Sequence, residues 1–398
     1  MKKITELCQN VGMDNDTFIG LKLFKGQIKI IFPLGYSIPE DEKECRKSVI
    51  DLFKTISLAH ENNLDYDESS GLLAKENCMP VDSYMWILSD YINNGLYVDN
   101  EKRYIQSQKG KINWKRTFKT KYYISHNNLI YLNPVVEQSF IKSNIITDIH
   151  SYCIDKSIDI LGPLYDGLNK LNMIKPDNNR IKYFINVIDK ELLKTFDDRK
   201  KLLLYHLRRI LLEEVDNGKI PIRNFGVKNY DHVWEFMVNK VFGDDGINKY
   251  YPTTEYHING KNKYIPSKLR PDTFFVYNDN FYILDSKYYK FGITCLNKHL
   301  PASESIEKQI TYKEYIKMNF NYDEKYENIY SAFIIPFNKK DNLFATKLSI
   351  FNCGYAVCNW EFEDQKHKIS IILIDTKDLI DNYFRKNSNL KKLLVDTI

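Results

Sequence analysis

The chain has 398 residues, more than one small hydrophobic core usually organises, so we expect two or three domains. Hydrophobic residues at 43% and charged residues at 27% are typical of a globular protein, and no apolar run reaches the roughly 18 to 20 residues that span a bilayer. Because the N-terminus also lacks the apolar segment of a signal peptide, we expect a cytoplasmic protein without membrane contact, whose net charge of +5 permits a nucleic acid partner.

The first 134 residues predict a mixed α+β domain. Alternating apolar residues over 17–32 indicate a hairpin around Lys25-Gly26, and helical spacing over 42–59 indicates an amphipathic helix. A second helix is predicted from Asp82 to Asn94, followed by two short strands. We expect this domain, residues 1–134, to bind DNA or a protein partner.

A basic segment over 102–121 carries no acidic side chain. Its lysines and arginines alternate with aromatic residues, a composition suited to phosphate contact with some base stacking. The alternative is a solvated connector in a lysine-rich chain. The candidate DNA-binding residues are Lys109, Lys111, Trp114, Lys115, Arg116 and Lys119.

The pattern of apolar residues changes at Asn133-Pro134, because leucine and isoleucine recur at helical spacing after it. We predict a helical region over 135–225 that packs on the C-terminal domain and has no chemistry of its own. Just beyond it, a predicted helix over 230–242 places Glu235 among apolar residues. A carboxylate so placed is costly unless it is paired or binds metal, although it could also face solvent at the helix edge.

Residues 269–290 predict a β-hairpin with turn residues at 278–280. Asp272 stands at the entry to the first strand. Asp285 and Lys287 are two residues apart on the second strand and therefore project from the same face. A solvated surface pair is the plain alternative, but Asp285 follows a continuous apolar run of the kind found in buried strands.

Elements after the hairpin complete the C-terminal domain, residues 226–398. A helix is predicted over 303–318 with Gln309 on its second turn, followed by three strands and a last helix. The seven cysteines add no metal site, because only Cys353 and Cys358 are close and a lone C-x4-C pair is a poor zinc site.

Two adjacent carboxylates repel each other unless a cation lies between them, and Mg²⁺ prefers such oxygen ligands together with water and substrate phosphate. A lysine beside the ion can orient or deprotonate water, or neutralise charge on a phosphoryl oxygen. Asp272, Asp285 and Lys287 therefore suit metal-dependent phosphodiester hydrolysis.

These residues resemble the PD-(D/E)xK nuclease motif, with Pro271-Asp272 as its first half and Asp285-Ser286-Lys287 as its second. The longer chain resembles the LlaJI family of restriction endonucleases and, more distantly, the McrC-type nuclease subunits that work with an McrB-type motor. The stretches that carry this resemblance are Ile31-Phe32-Pro33-Leu34-Gly35-Tyr36, Gly110-Lys111-Ile112-Asn113-Trp114-Lys115-Arg116-Thr117, Val233-Trp234-Glu235-Phe236-Met237, Arg270-Pro271-Asp272 and Leu284-Asp285-Ser286-Lys287-Tyr288-Tyr289.

The resemblance implies an α/β (α+β) chain with a restriction-endonuclease-like core in its C-terminal half. In that core Glu235, Asp272 and Asp285 bind Mg²⁺, Lys287 positions or activates water, and Gln309 supports the water or the phosphate. It also implies type II-like, site-specific cleavage of double-stranded DNA at or near a particular sequence, and a partner methyltransferase. A McrB-like GTPase or ATPase would be a separate chain, because this chain has no nucleotide-binding P-loop motif. A repair or junction nuclease and a non-catalytic DNA-binding scaffold remain the alternatives.

Overall fold

The structure, a computed structural model, describes residues 3–12, 17–24, 27–62, 79–126, 128–165, 167–216, 222–245, 250–261, 263–266, 268–320, 328–361, 366–385 and 389–398. The chain divides into two compact units. The first comprises Met1–Cys78 and Pro221–Ile398, and the second comprises Met79–Ile220. The boundaries predicted at 134/135 and 225/226 do not coincide with this division, because the chain returns near residue 222 to pair with its own N-terminal sheet.

Helices and strands are mixed along the chain. The helices are α1 (Ile4–Leu7), α2 (Glu42–Glu61), α3 (Val81–Asn94), α4 (Trp114–Thr117), α5 (Ile145–Leu161), α6 (Asn178–Leu192), α7 (Asp198–Asp216), α8 (Tyr230–Phe242), α9 (Phe291–Thr294), α10 (Ser303–Phe320), α11 (Thr376–Arg385) and α12 (Asn389–Thr397). The strands are β1 (Cys8–Asn10), β2 (Ile19–Phe24), β3 (Gln27–Phe32), β4 (Asp99–Gln106), β5 (Lys111–Ile112), β6 (Tyr123–Ser125), β7 (Asn128–Ile130), β8 (Val135–Lys142), β9 (Ile222–Val227), β10 (Thr273–Tyr277), β11 (Asn280–Ser286), β12 (Ile329–Phe337), β13 (Ile350–Ala356) and β14 (Ile369–Asp375). The mixed α+β class predicted from the sequence is confirmed.

The first sheet of the first unit has the strand order β1-β3-β2-β9. The predicted N-terminal hairpin is present as antiparallel β2 and β3, and β9 pairs antiparallel with the other edge of β2, with Ile19 opposite Val227. Helix α2 contributes a buried apolar stripe, and the ring of Phe53 meets that of Phe225 edge to face at 5.6 Å. This contact joins α2 to β9, although 172 residues of chain separate the two rings.

The second sheet of this unit has the order β10-β11-β12-β14-β13. Strands β11, β12 and β14 are parallel, while β10 and β13 run antiparallel at the two edges. Helix α10 covers one face, where Tyr312 and Ile316 pack with Phe281 and Ile283 of β11. The elements α8, β10–β11, α10 and β12 follow one another in the order predicted from the sequence.

The second unit contains the sheet β4-β8-β5, the hairpin β6–β7 and helices α3, α5, α6 and α7. The helical region predicted over 135–225 is correct for α5 to α7 and wrong at its two ends, where β8 and β9 are strands. Val135 and Val136 are β-branched and pair along β4, and a new helix begins only after Asn144, whose side chain caps α5. No helix in the described parts of the chain combines the length and hydropathy needed to cross a bilayer.

A short segment after β3 attaches the N-terminal sheet to the C-terminal one. The amide of Leu34 donates to the hydroxyl of Tyr288 at 2.7 Å, and the Leu34 carbonyl accepts from Thr376 Oγ1 at 2.7 Å. Gly35 follows with φ of +72°, and a Cβ atom there would lie 2.7 Å from the backbone of Phe337. Only glycine therefore fits this approach of two backbones.

Replacing Gly35 with alanine should lower the free energy of unfolding by about 2–4 kcal/mol, because the new methyl group meets immovable backbone and the φ angle is unfavourable. Urea unfolding followed by circular dichroism measures the loss. Gly260→Ala is the matched control, since Gly260 has φ of +74° with no atom within 4 Å of the added carbon. It should cost about 1–2 kcal/mol, the strain of the left-handed conformation alone. Equal losses in the two variants would contradict the steric contact with Phe337.

Candidate active site

The hairpin β10–β11 brings two carboxylates together at its open end. Its turn places Asn278 and Asp279 in the left-handed region, with φ of 47° and 57°, which fixes the strand register. In that register Thr273 pairs with Leu284, so Asp272 stands opposite Asp285. The Ser286 amide donates to Asp272 Oδ2 at 2.8 Å and holds this carboxyl beside the second strand.

Lys287 extends the same edge. Its backbone amide donates to the Ile334 carbonyl of β12 at 2.9 Å, and its Nζ lies 2.8 Å from Asp285 Oδ2. The sequence predicted that Asp285 and Lys287 project from one face, and this ion pair confirms it. The alternative of a solvated surface pair is wrong, because the exposed fractions of the Lys287 and Asp285 side chains are only 18% and 13%.

The carboxylates are close enough to perturb one another. Burial, together with the negative charges of Asp285 and Glu235, raises the pKa of Asp272 to about 8. Burial likewise raises the pKa of Glu235, with Asp285 adding to the effect, while His232 and Arg270 act in the opposite direction. Glu235 of α8 therefore shares one electrostatic environment with the hairpin carboxylates, as expected from its place in an apolar helix.

Gln309 lies on α10 and is completely buried. Neither its Oε1 nor its Nε2 has a hydrogen-bond partner among the described residues. The next turn carries Tyr312, whose pKa rises to about 12 through burial and through the charges of Asp272 and Asp285. The inner face of α10 thus borders the carboxylates, and Gln309 brings an unpartnered amide to that face. An amide left in this state is costly unless a ligand completes it.

An aromatic cluster fixes α8 against the hairpin. The ring of Tyr288 lies 5.3 Å from that of Tyr230 and 6.1 Å from that of Trp234. Trp234 Nε1 donates to the Ile334 carbonyl at 3.3 Å, the same oxygen that accepts from the Lys287 amide. Sequence reasoning did not assign a role to Tyr288 or Tyr312. Their positions in the sequence could have indicated a role, because Tyr288 follows Lys287 directly and Tyr312 lies three residues after Gln309.

These carboxylates form the candidate metal site. In the parts of the chain that the structure describes, no three His, Cys, Asp or Glu side chains stand in an arrangement that could already hold a metal ion. The donor chemistry nevertheless fits a hard divalent cation. Burial and the charges of Asp285 and Glu235 raise the pKa of Asp272, so the site favours a positive charge beside these carboxylates.

The predicted DNA-binding residues lie in the second unit, on and around β5 and α4. All six are exposed, as predicted for a contact surface: Lys109, Lys111, Trp114, Lys115, Arg116 and Lys119. The Trp114 ring lies 5.7 Å from that of Phe118, and the Arg116 guanidinium lies over the Tyr104 ring at 4.0 Å. Exposed cations beside exposed rings are the combination that phosphate and base contacts use, and DNA binding there remains a prediction.

The raised pKa of Asp272 predicts that Asp272→Asn stabilises the metal-free protein. Between its ordinary pKa of 3.8 and about 8, the unfolded carboxyl loses a proton that the folded one retains, so stability falls as pH rises through this window. The amide cannot ionise, and the melting temperature in EDTA at pH 7.5 should rise on the order of 5 °C. The gain should vanish near pH 4.

Differential scanning calorimetry from pH 4 to pH 8 measures this difference. Asp341→Asn removes an exposed loop carboxylate of the same unit and should leave the melting temperature unchanged. A lower melting temperature for Asp272→Asn at pH 7.5 would show that the Asp272 carboxylate stabilises the fold instead.

Comparison with known proteins gives a family. No curated protein matches the chain. Among solved structures, the chain is similar to a refined half-complex from the tetradecameric assembly of Thermococcus gammatolerans McrB AAA+ hexamers with bound McrC. The identity is 14% and the TM-score 0.34 over 94% of this chain and 83% of that chain, values at which the likeness carries no argument about function. The family model described as LlaJI restriction endonuclease matches residues 18–353, a span that contains all five predicted catalytic residues. The chain therefore belongs to the LlaJI restriction endonuclease family.

Proposed function

We propose that the protein is a Mg²⁺-dependent endodeoxyribonuclease that hydrolyses phosphodiester bonds of double-stranded DNA within a restriction-modification system, using a PD-(D/E)xK core. Membership of a restriction endonuclease family supports a DNA nuclease of a restriction system. The observation that carries the proposal is the partly buried pair Asp272 and Asp285, held at one end of a hairpin with Lys287 Nζ 2.8 Å from Asp285 Oδ2.

Three residues would hold the ion, namely Glu235, Asp272 and Asp285. The charges of Asp285 and Glu235 contribute to the raised pKa of Asp272, and the charge of Asp285 contributes to the raised pKa of Glu235. When bound, Mg²⁺ supplies positive charge for the phosphoryl oxygens and lowers the pKa of water. The protein contributes a fixed frame, because the hairpin register and the Ser286 amide hold the aspartates while the contacts of Trp234 hold α8.

Lys287 enters the reaction as a cation. Burial lowers the pKa of Lys287, but the charges of Asp285 and Asp272 outweigh burial and the pKa is raised overall. The ammonium therefore keeps its proton at neutral pH. In that state it donates hydrogen bonds that orient the attacking water or stabilise negative charge on the phosphoryl group, and it does not act as the general base.

Lys287→Ala should reduce the rate of DNA cleavage by roughly 100-fold or more, because it removes a donor aimed at developing charge. Affinity for uncleaved DNA in Ca²⁺ should change by less than about threefold, since one of several cationic contacts is lost. Single-turnover cleavage and fluorescence anisotropy measure the two quantities. Lys340→Ala, on an exposed loop after β12, is the matched control and should change neither. Undiminished cleavage by Lys287→Ala would remove Lys287 from the mechanism.

Gln309→Leu should separate function from stability. Leucine has a similar volume and removes a buried amide that lacks hydrogen bonds, so the melting temperature should stay equal or rise. Cleavage should fall at least roughly tenfold, because the amide that meets water or phosphate is gone. Ile310→Leu, a volume-conserving change at the next residue of α10, should leave both quantities near the wild-type values. A stable Gln309→Leu protein with full activity would place Gln309 outside the site.

The function itself is tested by incubating long unmodified DNA with the protein and Mg²⁺. The same reaction with ATP or GTP and a candidate motor protein shows whether a separate McrB-like subunit is needed, and methylated DNA shows whether a partner methyltransferase protects the site. Branched and plasmid substrates separate restriction from junction cleavage. If no DNA is cut under any of these conditions, while Mg²⁺ titration by calorimetry detects no site that depends on Asp285, the protein is a non-catalytic scaffold.

A further inference from the structure

A cavity of about 680 Å³ opens beside the carboxylate site in the first unit. Three elements that carry site residues border it. Tyr288, Tyr289 and Lys290 continue directly from Lys287, Asp231 lies one helical turn before Glu235 on α8, and Ala302 immediately precedes α10, the helix of Gln309. We call this cavity the flanking groove.

The lining of the flanking groove is largely basic in its charged residues. Lys228, Lys290 and Lys298 line it together with His299, whereas Asp231 is the only acidic side chain among the described lining residues. The 13-residue helix α8 and the 18-residue helix α10 both begin at this cavity, so their positive dipole ends add to the same field. A lining of this kind attracts negatively charged groups such as phosphate.

The lining also contains apolar and aromatic residues. Leu34, Leu300, Tyr288 and Tyr289 are among them, and Tyr289 is 39% exposed. Tyr288 is already engaged, since its hydroxyl accepts from the Leu34 amide and its ring packs on α8. Tyr289 therefore offers the ring on which a planar ligand can stack. A lining that combines cations with an exposed ring matches a nucleotide, whose phosphate and base need different surroundings.

The size of the flanking groove favours nucleotides of a single DNA strand over a duplex. A volume of 680 Å³ falls within the roughly 300–1,000 Å³ typical of small-ligand pockets, which is the size class of one or two nucleotides and not of a duplex. A base inside a duplex is stacked and paired, so it cannot lie on Tyr289 until it is released from its partner.

We propose that the flanking groove binds about one or two unpaired nucleotides of the strand that is cut, with Lys290 and Lys298 on the phosphates and Tyr289 stacked on a base. The identification of the bound strand as the cleaved one rests on the proposed nuclease function. The binding itself needs neither metal nor cleavage. Such binding implies that base pairs next to the scissile phosphate are opened locally. The choice of the strand to be cleaved then depends partly on how easily those base pairs open.

The experiment measures binding of a fluorescein-labelled thymidine tetranucleotide to the full chain in EDTA, by anisotropy at several salt concentrations. Lys290→Ala/Lys298→Ala should weaken binding at least tenfold and reduce the slope of log affinity against log salt by about 1 to 2, because two phosphate contacts are lost. Tyr289→Ala should weaken binding about 5- to 100-fold with an unchanged slope, because stacking carries no counterion release.

Two matched controls on the same unit keep the result specific. Lys340→Ala removes an exposed lysine, and Tyr355→Ala removes an exposed tyrosine of β13; both should bind the oligonucleotide as the wild type does. A longer, stably paired self-complementary duplex, added at the same concentration of phosphate groups, should compete poorly. Wild-type binding by both groove variants, or equal competition by the duplex, would overturn the proposal.

Cleavage assays then distinguish this inference from the proposed function. If Lys287→Ala abolishes cleavage but the groove variants bind the oligonucleotide normally, the nuclease stands and the groove assignment fails. If the groove variants lose binding while no DNA is ever cut, the nucleotide site stands and the nuclease assignment fails.

Discussion

The repulsion between Asp272 and Asp285 is the constraint on which the rest of the site depends. Two carboxyl groups at the buried end of a hairpin cost free energy, and the raised pKa of Asp272 is the measure of that cost. The fold tolerates the pair because the strand register, the Ser286 amide and the Lys287 ammonium leave it little freedom to separate. Strain held in place by surrounding structure is a common property of catalytic sites.

Support for this pair comes from distant parts of the chain. Helix α8 contributes Glu235 and is held by the indole of Trp234, which shares the Ile334 carbonyl with the Lys287 amide. The N-terminal sheet contributes the segment at Leu34 and Gly35, which contacts Tyr288 and Phe337. The N-terminal sheet is therefore part of the frame of the site.

Local patterns predicted the parts of this site that depend on neighbouring residues. The alternation of aromatic and β-branched residues predicted β10 and β11, and the spacing of Asp285 and Lys287 predicted their common face. Helix α10 was also predicted within two residues at its end, because its apolar residues follow helical spacing and Ser303 marks its start. Strand β8 was missed because its apolar residues adjoin those of α5, and only pairing with β4 separates the two elements.

Contacts between distant residues could not be predicted in this way. The Leu34 amide and the Tyr288 hydroxyl are 254 residues apart, and no local pattern marks either as the partner of the other. The same holds for the burial of Gln309, which the sequence presents as a polar residue on a mildly amphipathic helix. Electrostatic effects such as the pKa of Asp272 arise from these three-dimensional surroundings and appear only when they are known.

The bond between Thr376 and the Leu34 carbonyl has a consequence for synthesis of the protein. The two residues are separated by 342 positions, so at about 5–20 residues per second the Leu34 carbonyl waits roughly 20–70 s for its partner to leave the ribosome. Residues Met79–Ile220 form their own compact unit and can fold during that interval. The frame around Lys287 closes only after nearly the whole chain has been translated, so a growing chain holds no complete candidate site.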